Sequence, residues 1–274
     1  MWSLSAPVIR VGLSQHAVTV ARMPRFGSSL DPSTAGAVEH LACSPAAAHG
    51  EPWHAAVERL AQWLEAHKAQ RFSVQLVLSG RFVRWQLLPW RVELSGGTEL
   101  AAYAALRFRE TYGRAVQDWS ILPAALAPGL TAPAAAVDSA LVEALVQACK
   151  AHGAQLQELS PYFSSAFDAW HGDLKGKAVW FGTVESDTLT LGLLRDSQWT
   201  ALQSQRLSGD WHAPLAALMG QIAMSCDLPD AAVPLYLAGD MPAPPAQATL
   251  PLVWLAPKPL GQRTAPGLRL AMGR

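Results

Sequence analysis

The sequence has few cysteines, and their spacing fits neither a disulfide framework nor a metal site. The three are Cys43, Cys149 and Cys226, which is an odd number, widely separated and without a Cys-x-x-Cys pair. Disulfide scaffolds and structural zinc sites need paired ligands at short spacing. The eight histidines show no His-Glu-x-x-His pattern either. The sequence therefore predicts buried free thiols and no bound metal.

An excess of charge of either sign is also missing. Lysine plus arginine and aspartate plus glutamate each number 21, and charged residues make up 15% of the chain. Proteins that bind nucleic acid normally carry a basic excess that neutralises phosphates. We therefore expect no nucleic-acid partner. Hydrophobic residues make up 50% of the 274 residues, which predicts a folded chain with a sizeable core.

Long hydrophobic runs are absent as well. The Ala-rich stretch 122–145 comes nearest to a membrane span, but it is interrupted by Pro123, Pro128, Gly129, Pro133, Asp138 and Glu143. Residues 1–13 lack the charged leader and apolar run of a secretory signal. We therefore expect a soluble, cytoplasmic protein.

Hydrophobic alternation predicts an α/β chain in which each half opens with a β-hairpin. In the first half, the apolar runs 8–13 and 17–21 flank a short polar turn. In the second half, the strand 178–184 is followed by the alternating strand 188–194 and a third strand over 199–207. The expected domains are two lobes, residues 1–175 and residues 176–274.

Further elements are predicted between and after these hairpins. Apolar residues at helical spacing indicate helices around 57–64, 99–112, 141–149 and 215–222. Asp138 is placed to cap the third helix, and Gly113 and Gly153 to end the second and third. Short strands are predicted over 37–42, 119–122, 155–159 and 235–238. The segments 73–78 and 82–88 are predicted to pair as one more hairpin.

Three short motifs carry a resemblance to a known fold. They are Arg10-Val11-Gly12 in the first hairpin, Trp180-Phe181-Gly182 in the second, and Leu235 to Gly239 followed by Asp240. They resemble the two Asp-x-Gly hairpins and the glycine-ended adenosine strand of actin-like ATPases. In that superfamily the aspartates organise the water shell of magnesium, and the glycines let backbone N–H groups approach phosphate. In this chain arginine and tryptophan replace the two aspartates.

This resemblance implies a two-lobed actin-like ATPase (ribonuclease H-like) fold with degenerate nucleotide-binding motifs. Gly12, Gly182 and Gly239 would mark a vestigial nucleotide cleft, with no catalytic residue and no cofactor. The simpler alternative is that these glycines serve turns or packing. A further alternative is a working ATPase or sugar-kinase relative, or a protein that binds ATP without turnover.

A longer segment, Val74 to Trp119, carries a second and more specific resemblance. It contains Phe82-Val83-Arg84, then Leu88-Pro89-Trp90, then a helix that ends at Tyr112-Gly113. This order is similar to that of PilM-like, GspL-like and MshI-like proteins of type IV pilus and type II secretion machines.

The second resemblance implies a non-catalytic scaffold of an inner-membrane assembly platform. Such a scaffold docks the short cytoplasmic tail of a PilN-like membrane protein, with the secretion or pilus ATPase as a second candidate partner. It would be peripheral to the inner membrane through its partners. Trp85 and Trp90 are the candidate residues for binding the tail, against the alternative that they only pack the core.

Overall fold

The computed structural model describes residues 6–23, 38–44, 51–94, 96–125, 127–228, 233–239, 252–256 and 267–274. Their strands are β1 Val8–Leu13, β2 Ala17–Arg22, β3 Val38–Ala42, β4 Ser73–Leu78, β5 Val83–Leu88, β6 Trp119–Pro123, β7 Ala132–Asp138, β8 Gln155–Pro161, β9 Ala178–Val184, β10 Thr188–Arg195, β11 Gln198–Arg206, β12 Leu235–Gly239 and β13 Leu252–Trp254. Their α-helices are α1 His54–Ala66, α2 Gly97–Tyr112, α3 Ser139–Ala151, α4 Tyr162–Trp170, α5 His212–Ser225 and α6 Leu268–Met272. A membrane-spanning helix is not among those of the described residues, since none is long and apolar enough.

The chain divides into two compact units, each assembled from separate segments. The first comprises Met1–Arg81, Leu141–Ala169 and Ala256–Arg274, and the second comprises Phe82–Ala140 and Trp170–Leu255. The predicted division into 1–175 and 176–274 does not coincide with these units. The reason is that residues 82–140 pack with the second unit, while the C-terminal segment returns to the first.

The first unit is built on a five-stranded sheet of order β3-β2-β1-β4-β8. The predicted opening hairpin is confirmed, because β1 pairs antiparallel with β2. β1 also pairs in parallel with β4, which places Arg10 beside Gln75 and Gly12 beside Val77. The helix α6 packs on β1, β2 and β4.

The second unit contains a sheet with the same arrangement, of order β11-β10-β9-β12-β13. Its β9 and β10 form the second predicted hairpin. One face packs against the predicted helix α5 through a cluster of buried side chains that includes Trp180, Leu237, Leu215 and Leu218. The repeated strand order means that both halves follow one topology, as the paired hairpins predicted.

A separate three-stranded sheet of order β5-β7-β6 lies in the second unit. The predicted hairpin of 73–78 with 82–88 is therefore wrong. β4 pairs with β1 and β8, whereas β5 pairs with β7. A 3-10 turn, Gly80–Phe82, redirects the chain between them.

The helix α2 covers one face of the three-stranded sheet, with Tyr103, Ala104 and Phe108 buried against it. A hydrogen bond from the Thr131 hydroxyl to the Trp199 carbonyl ties the segment before β7 to β11. This contact helps to explain why residues 82–140 group with the second sheet.

The predicted helix ends are confirmed. The Asp138 side chain accepts a hydrogen bond from the N–H of Ala140 at 3.0 Å, and Gly113 and Gly153 have φ of +66° and +69°.

Residue 37 of the predicted strand 37–42 lies outside the described residues. All three cysteines are free, but only Cys149 is fully buried, so the prediction of burial is wrong for Cys43 and Cys226.

Candidate functional site

Backbone N–H groups in the turn of the first hairpin form hydrogen bonds within the turn itself. Ser14 N–H donates to the Ala17 carbonyl at 3.0 Å, and Ala17 N–H donates to the Ser14 hydroxyl at 3.1 Å. The Arg81 Nε donates to the Gln15 side chain at 3.1 Å. A phosphate-binding turn needs N–H groups aimed at the ligand. Two of the N–H groups here already have partners.

Gly12 is a packing position for the helix α6. A Cβ at Gly12 would lie 2.6 Å from the Ala271 backbone nitrogen and 3.0 Å from the Ala271 Cα. The φ of Gly12 is not in the left-handed region. Glycine therefore stands here because the backbone of α6 lies directly against β1.

Arg10, at the position of the first missing carboxylate, binds the end of the same helix. Its guanidinium donates to the Met272 carbonyl at 2.8 Å and to the Gln75 side chain at 3.1 Å. The last carbonyls of a helix attract cations, because they lack partners within the helix and carry the negative end of its dipole. Burial lowers the pKa of Arg10, and the nearby Arg274 lowers it further while Glu158 raises it. The cation thus anchors the end of α6 against β1.

In the second hairpin, the residues at the matching positions belong to the apolar core. Trp180 is 3% exposed and belongs to the cluster that packs against α5. A Cβ at Gly182 would lie 2.9 Å from the Leu237 side chain and 3.0 Å from the Thr190 carbonyl. Trp180 therefore stabilises the core, and Gly182 allows β9, β10 and β12 to pack closely.

Two carboxylates that the sequence motifs did not single out, Glu185 and Asp187, lie at the turn of the second hairpin. Glu185 is only 4% exposed, and its N–H donates to the Thr188 carbonyl at 2.8 Å. Asp187 follows two residues later and accepts the Thr188 hydroxyl at 3.1 Å. Negative groups disfavour a second negative group nearby. The acidic pair Glu185 and Asp187 could have been noticed in the sequence.

Gly239 also stands where two strands meet. A Cβ there would collide with the Val184 carbonyl of the neighbouring strand. Gly182 and Gly239 thus lie in adjacent strands of one sheet, while Gly12 lies in the other unit. Asp240, which follows Gly239, lies outside the described residues. In the described part of the chain, no group of three or more His, Cys, Asp or Glu side chains could hold a metal ion.

The two candidate binding tryptophans differ in exposure. Trp85 lies within β5 and is 8% exposed, whereas Trp90 follows β5 and is 37% exposed. Trp85 is paired with Ala135, and Ala135 is paired with Leu122 of β6. These three residues form one cross-strand row, at the outer end of which Leu122 is 76% exposed. An exposed apolar side chain thus lies on an edge strand, because β6 pairs only with β7 among the described strands.

Neither the scan against protein-family models nor the search of curated proteins found a match. The search of solved structures did find matches. They establish that the chain has the two-lobed actin-like ATPase fold. One similar structure is a Bacteroides thetaiotaomicron protein of actin-like ATPase fold and unknown function. Its TM-score is 0.58 and its identity 10%, over 85% of this chain and 82% of the other.

Two further similar structures belong to bacterial assembly machines. A chain of the PilM–PilN type IV pilus biogenesis complex matches with a TM-score of 0.60 and 13% identity, over 97% of this chain and 96% of that one. The cytoplasmic domain of EpsL, an inner membrane component of the Vibrio cholerae type II secretion system, matches with a TM-score of 0.57 and 14% identity. That match covers 97% of this chain and 93% of the other.

Proposed function

We propose that this protein is a non-catalytic scaffold of a type IV pilus or type II secretion assembly platform at the inner membrane. The observation that carries the proposal is the bond between Arg10 and the Met272 carbonyl. It fixes a helix against the strand that holds a magnesium-organising aspartate in actin-like ATPases. The buried Trp180 and the acidic turn at Glu185 and Asp187 support the same reading for the second hairpin.

The first prediction concerns nucleotide binding. Isothermal titration with Mg-ATP should give no saturable heat at low millimolar concentration, because both positions for a magnesium-organising carboxylate are occupied by other groups. Arg10→Asp should not restore binding, since Gly12 still lies under the backbone of α6. Magnesium-dependent binding in the micromolar range would overturn the scaffold proposal in favour of a working ATPase. Weak binding without magnesium would indicate a protein that holds ATP without turnover.

The proposed partner is the short cytoplasmic tail of a PilN-like inner-membrane protein, with the secretion or pilus ATPase as a second candidate. Support comes from the likeness to a chain of the PilM–PilN complex and from the sequence resemblance over Val74 to Trp119. The protein would then lie in the cytoplasm and reach the inner membrane through its partners.

We place the docking surface at the exposed edge of β6. A tail in extended conformation can add to such an edge, because its backbone donors and acceptors satisfy those of the strand. Leu122 lies on this edge and is 76% exposed, whereas Trp90, which is 37% exposed, follows β5 at the opposite edge of the same sheet. Pro123 fits an edge position, since proline lacks the N–H that a central strand needs.

The second prediction tests this surface with fluorescence anisotropy of labelled tail peptides. Leu122→Lys should weaken peptide affinity by more than about 1 kcal/mol, or roughly fivefold. An equal loss for Trp90→Ala instead of Leu122→Lys would move the docking surface from β6 to the edge at β5. Thermal melts should show an intact fold, because exposed substitutions usually change stability by less than about 0.5 kcal/mol.

Two controls accompany these variants. Met224→Lys changes a side chain that is 85% exposed on α5, and it should leave affinity unchanged. Trp85→Ala should lower stability, because Trp85 is buried in β5. If no candidate tail binds the wild-type protein, the docking proposal is wrong whatever the variants do.

A further inference from the structure

A polar cavity of about 290 Å³ lies within the first unit, along the middle of β1 and the middle and later parts of β4 and β8. The helix α4 and the end of α6 close it. Its polar lining includes Arg10, Glu158, Ser160, Ser165, Asp168 and Arg274. Arg10 of the first motif lines this cavity, whereas the turn of the first hairpin is not among the described residues that line it.

Two arginines, Arg10 and Arg274, line this cavity, and the carboxylate of Glu158 lies near enough to Arg10 to raise its pKa. Arg10 donates to an amide oxygen of Gln75 and a backbone carbonyl, which are both neutral acceptors. The Nε of Arg274 is buried and has no hydrogen-bond acceptor among the described residues. The two positive charges are close enough that Arg274 lowers the pKa of Arg10. Each group therefore retains capacity for an anion.

The backbone turn that follows α6 fixes the position of Arg274. Helix α6 ends in a turn in which Gly273 has a φ of +68°. Gly273 N–H donates to the Leu270 carbonyl at 3.0 Å, and Arg274 N–H donates to the Arg269 carbonyl at 3.1 Å. A Cβ at Gly273 would lie 2.8 Å from the Ser165 Cβ. Glycine thus permits both the turn and the close passage along α4 that brings Arg274 to the cavity.

The remaining polar groups restrict what the cavity can hold. The Ser160 and Ser165 hydroxyls are 2.8 Å apart, so one of them keeps a hydrogen for a ligand. Glu158 and Asp168 also line the cavity and are exposed, and they disfavour a ligand with several negative charges. The volume lies at the lower end of small-molecule sites, which measure about 300–1,000 Å³.

We propose that this cavity binds the single carboxylate or phosphate group of a small molecule, held between the guanidinium groups of Arg10 and Arg274. Planar guanidinium forks bind both kinds of oxyanion through paired hydrogen bonds. The inference is independent of the docking proposal, since the cavity lies in the first unit and β6 in the second.

The test is an NMR titration of the arginine Nε–Hε signals with sodium phosphate or sodium acetate, against sodium chloride at equal ionic strength. We expect a saturable shift with one of the two anions in the low millimolar range or tighter, and weaker binding of pyrophosphate. Arg274→Gln should weaken binding at least tenfold. The matched control is Arg206→Gln, at the exposed end of β11, which should bind like the wild type.

Arg274→Lys serves as a second variant, because it keeps the charge but loses the paired hydrogen bonds. It should bind more weakly than the wild type and more tightly than Arg274→Gln. The absence of a saturable shift with both anions would overturn the proposal. Equal affinity in the wild type and in both Arg274 variants would overturn it too, since the anion would then bind elsewhere.

Discussion

At the scale of single residues, the three motif glycines have a common physical explanation. Gly12 lies against the backbone of α6, Gly182 against Leu237 and the Thr190 carbonyl, and Gly239 against the Val184 carbonyl. None of the three has a positive φ. A missing side chain is therefore required by close packing and not by an unusual backbone conformation.

The third prediction follows for Gly12. Gly12→Ala should lower the free energy of unfolding by about 1–3 kcal/mol, because its Cβ would crowd a backbone atom that cannot move alone. Gly220→Ala is the control, since its Cβ would meet no atom within 4 Å in α5. It should raise stability by roughly 0.5–1 kcal/mol, as alanine does in a helix interior. Urea denaturation measures both, and equal stability of the two variants would contradict this account.

The fourth prediction concerns Cys149, which is 1% exposed. Burial raises the pKa of its thiol to about 11 from the ordinary 9.0. The thiol therefore keeps its proton in the folded protein over a range where the unfolded chain loses it. Its contribution to stability is complete below pH 9 and disappears as the pH rises toward 11.

Urea denaturation between pH 9 and 11 should show this loss, which amounts to about 2 kcal/mol at most. Cys149→Ala should be less stable at pH 8 but lose less stability over the same interval. An identical pH dependence in the two proteins would show that Cys149 does not cause the loss.

At the scale of secondary-structure elements, α5 provides the fifth prediction. Leu218 is 4% exposed and packs with Leu215 and Ile222 against the second sheet. Leu218→Ala should therefore destabilise the protein by about 2–5 kcal/mol. Met224→Ala on the same helix should change stability by less than about 0.5 kcal/mol, because Met224 is 85% exposed. A small shift in the urea midpoint for Leu218→Ala would mean that α5 is placed in the wrong register.

Elements with strong periodicity were predictable from the sequence, and those fixed by distant contacts were not. The two hairpins and the helices α1, α2, α3 and α5 show clear alternation or helical spacing. The strand β7, Ala132–Asp138, was missed because alanine and proline have low strand propensity. It forms because β5 and β6 pair with its two edges.

The candidate site shows the same limit. The sequence revealed that both carboxylates are replaced and that the glycines remain. It did not reveal that Arg10 and Gly12 contact α6, whose residues lie more than 250 positions further along the chain. The short helices α4 and α6 were also missed, so the cavity that they close could not be anticipated.

At the scale of the whole molecule, the two units contain five-stranded sheets of the same topology, but different elements pack on the two sheets. Both five-stranded sheets begin with a hairpin whose first strand also pairs in parallel with a fourth. The first sheet receives α6 from the end of the described chain, whereas the second adjoins the three-stranded sheet. Since the added elements differ, the two units can specialise: the second offers the proposed docking edge and the first the proposed anion cavity.

The return of α6 to β1 also determines when the first unit can be completed during synthesis. Arg10 and Met272 are 262 residues apart, so a ribosome adding about 5–20 residues per second needs roughly 13–50 s to make the second after the first. Until then the face of β1 that carries Gly12 lacks its cover. The second unit, whose segments lie between these two residues, can fold earlier. We therefore expect the first unit to complete its fold later than the second during synthesis.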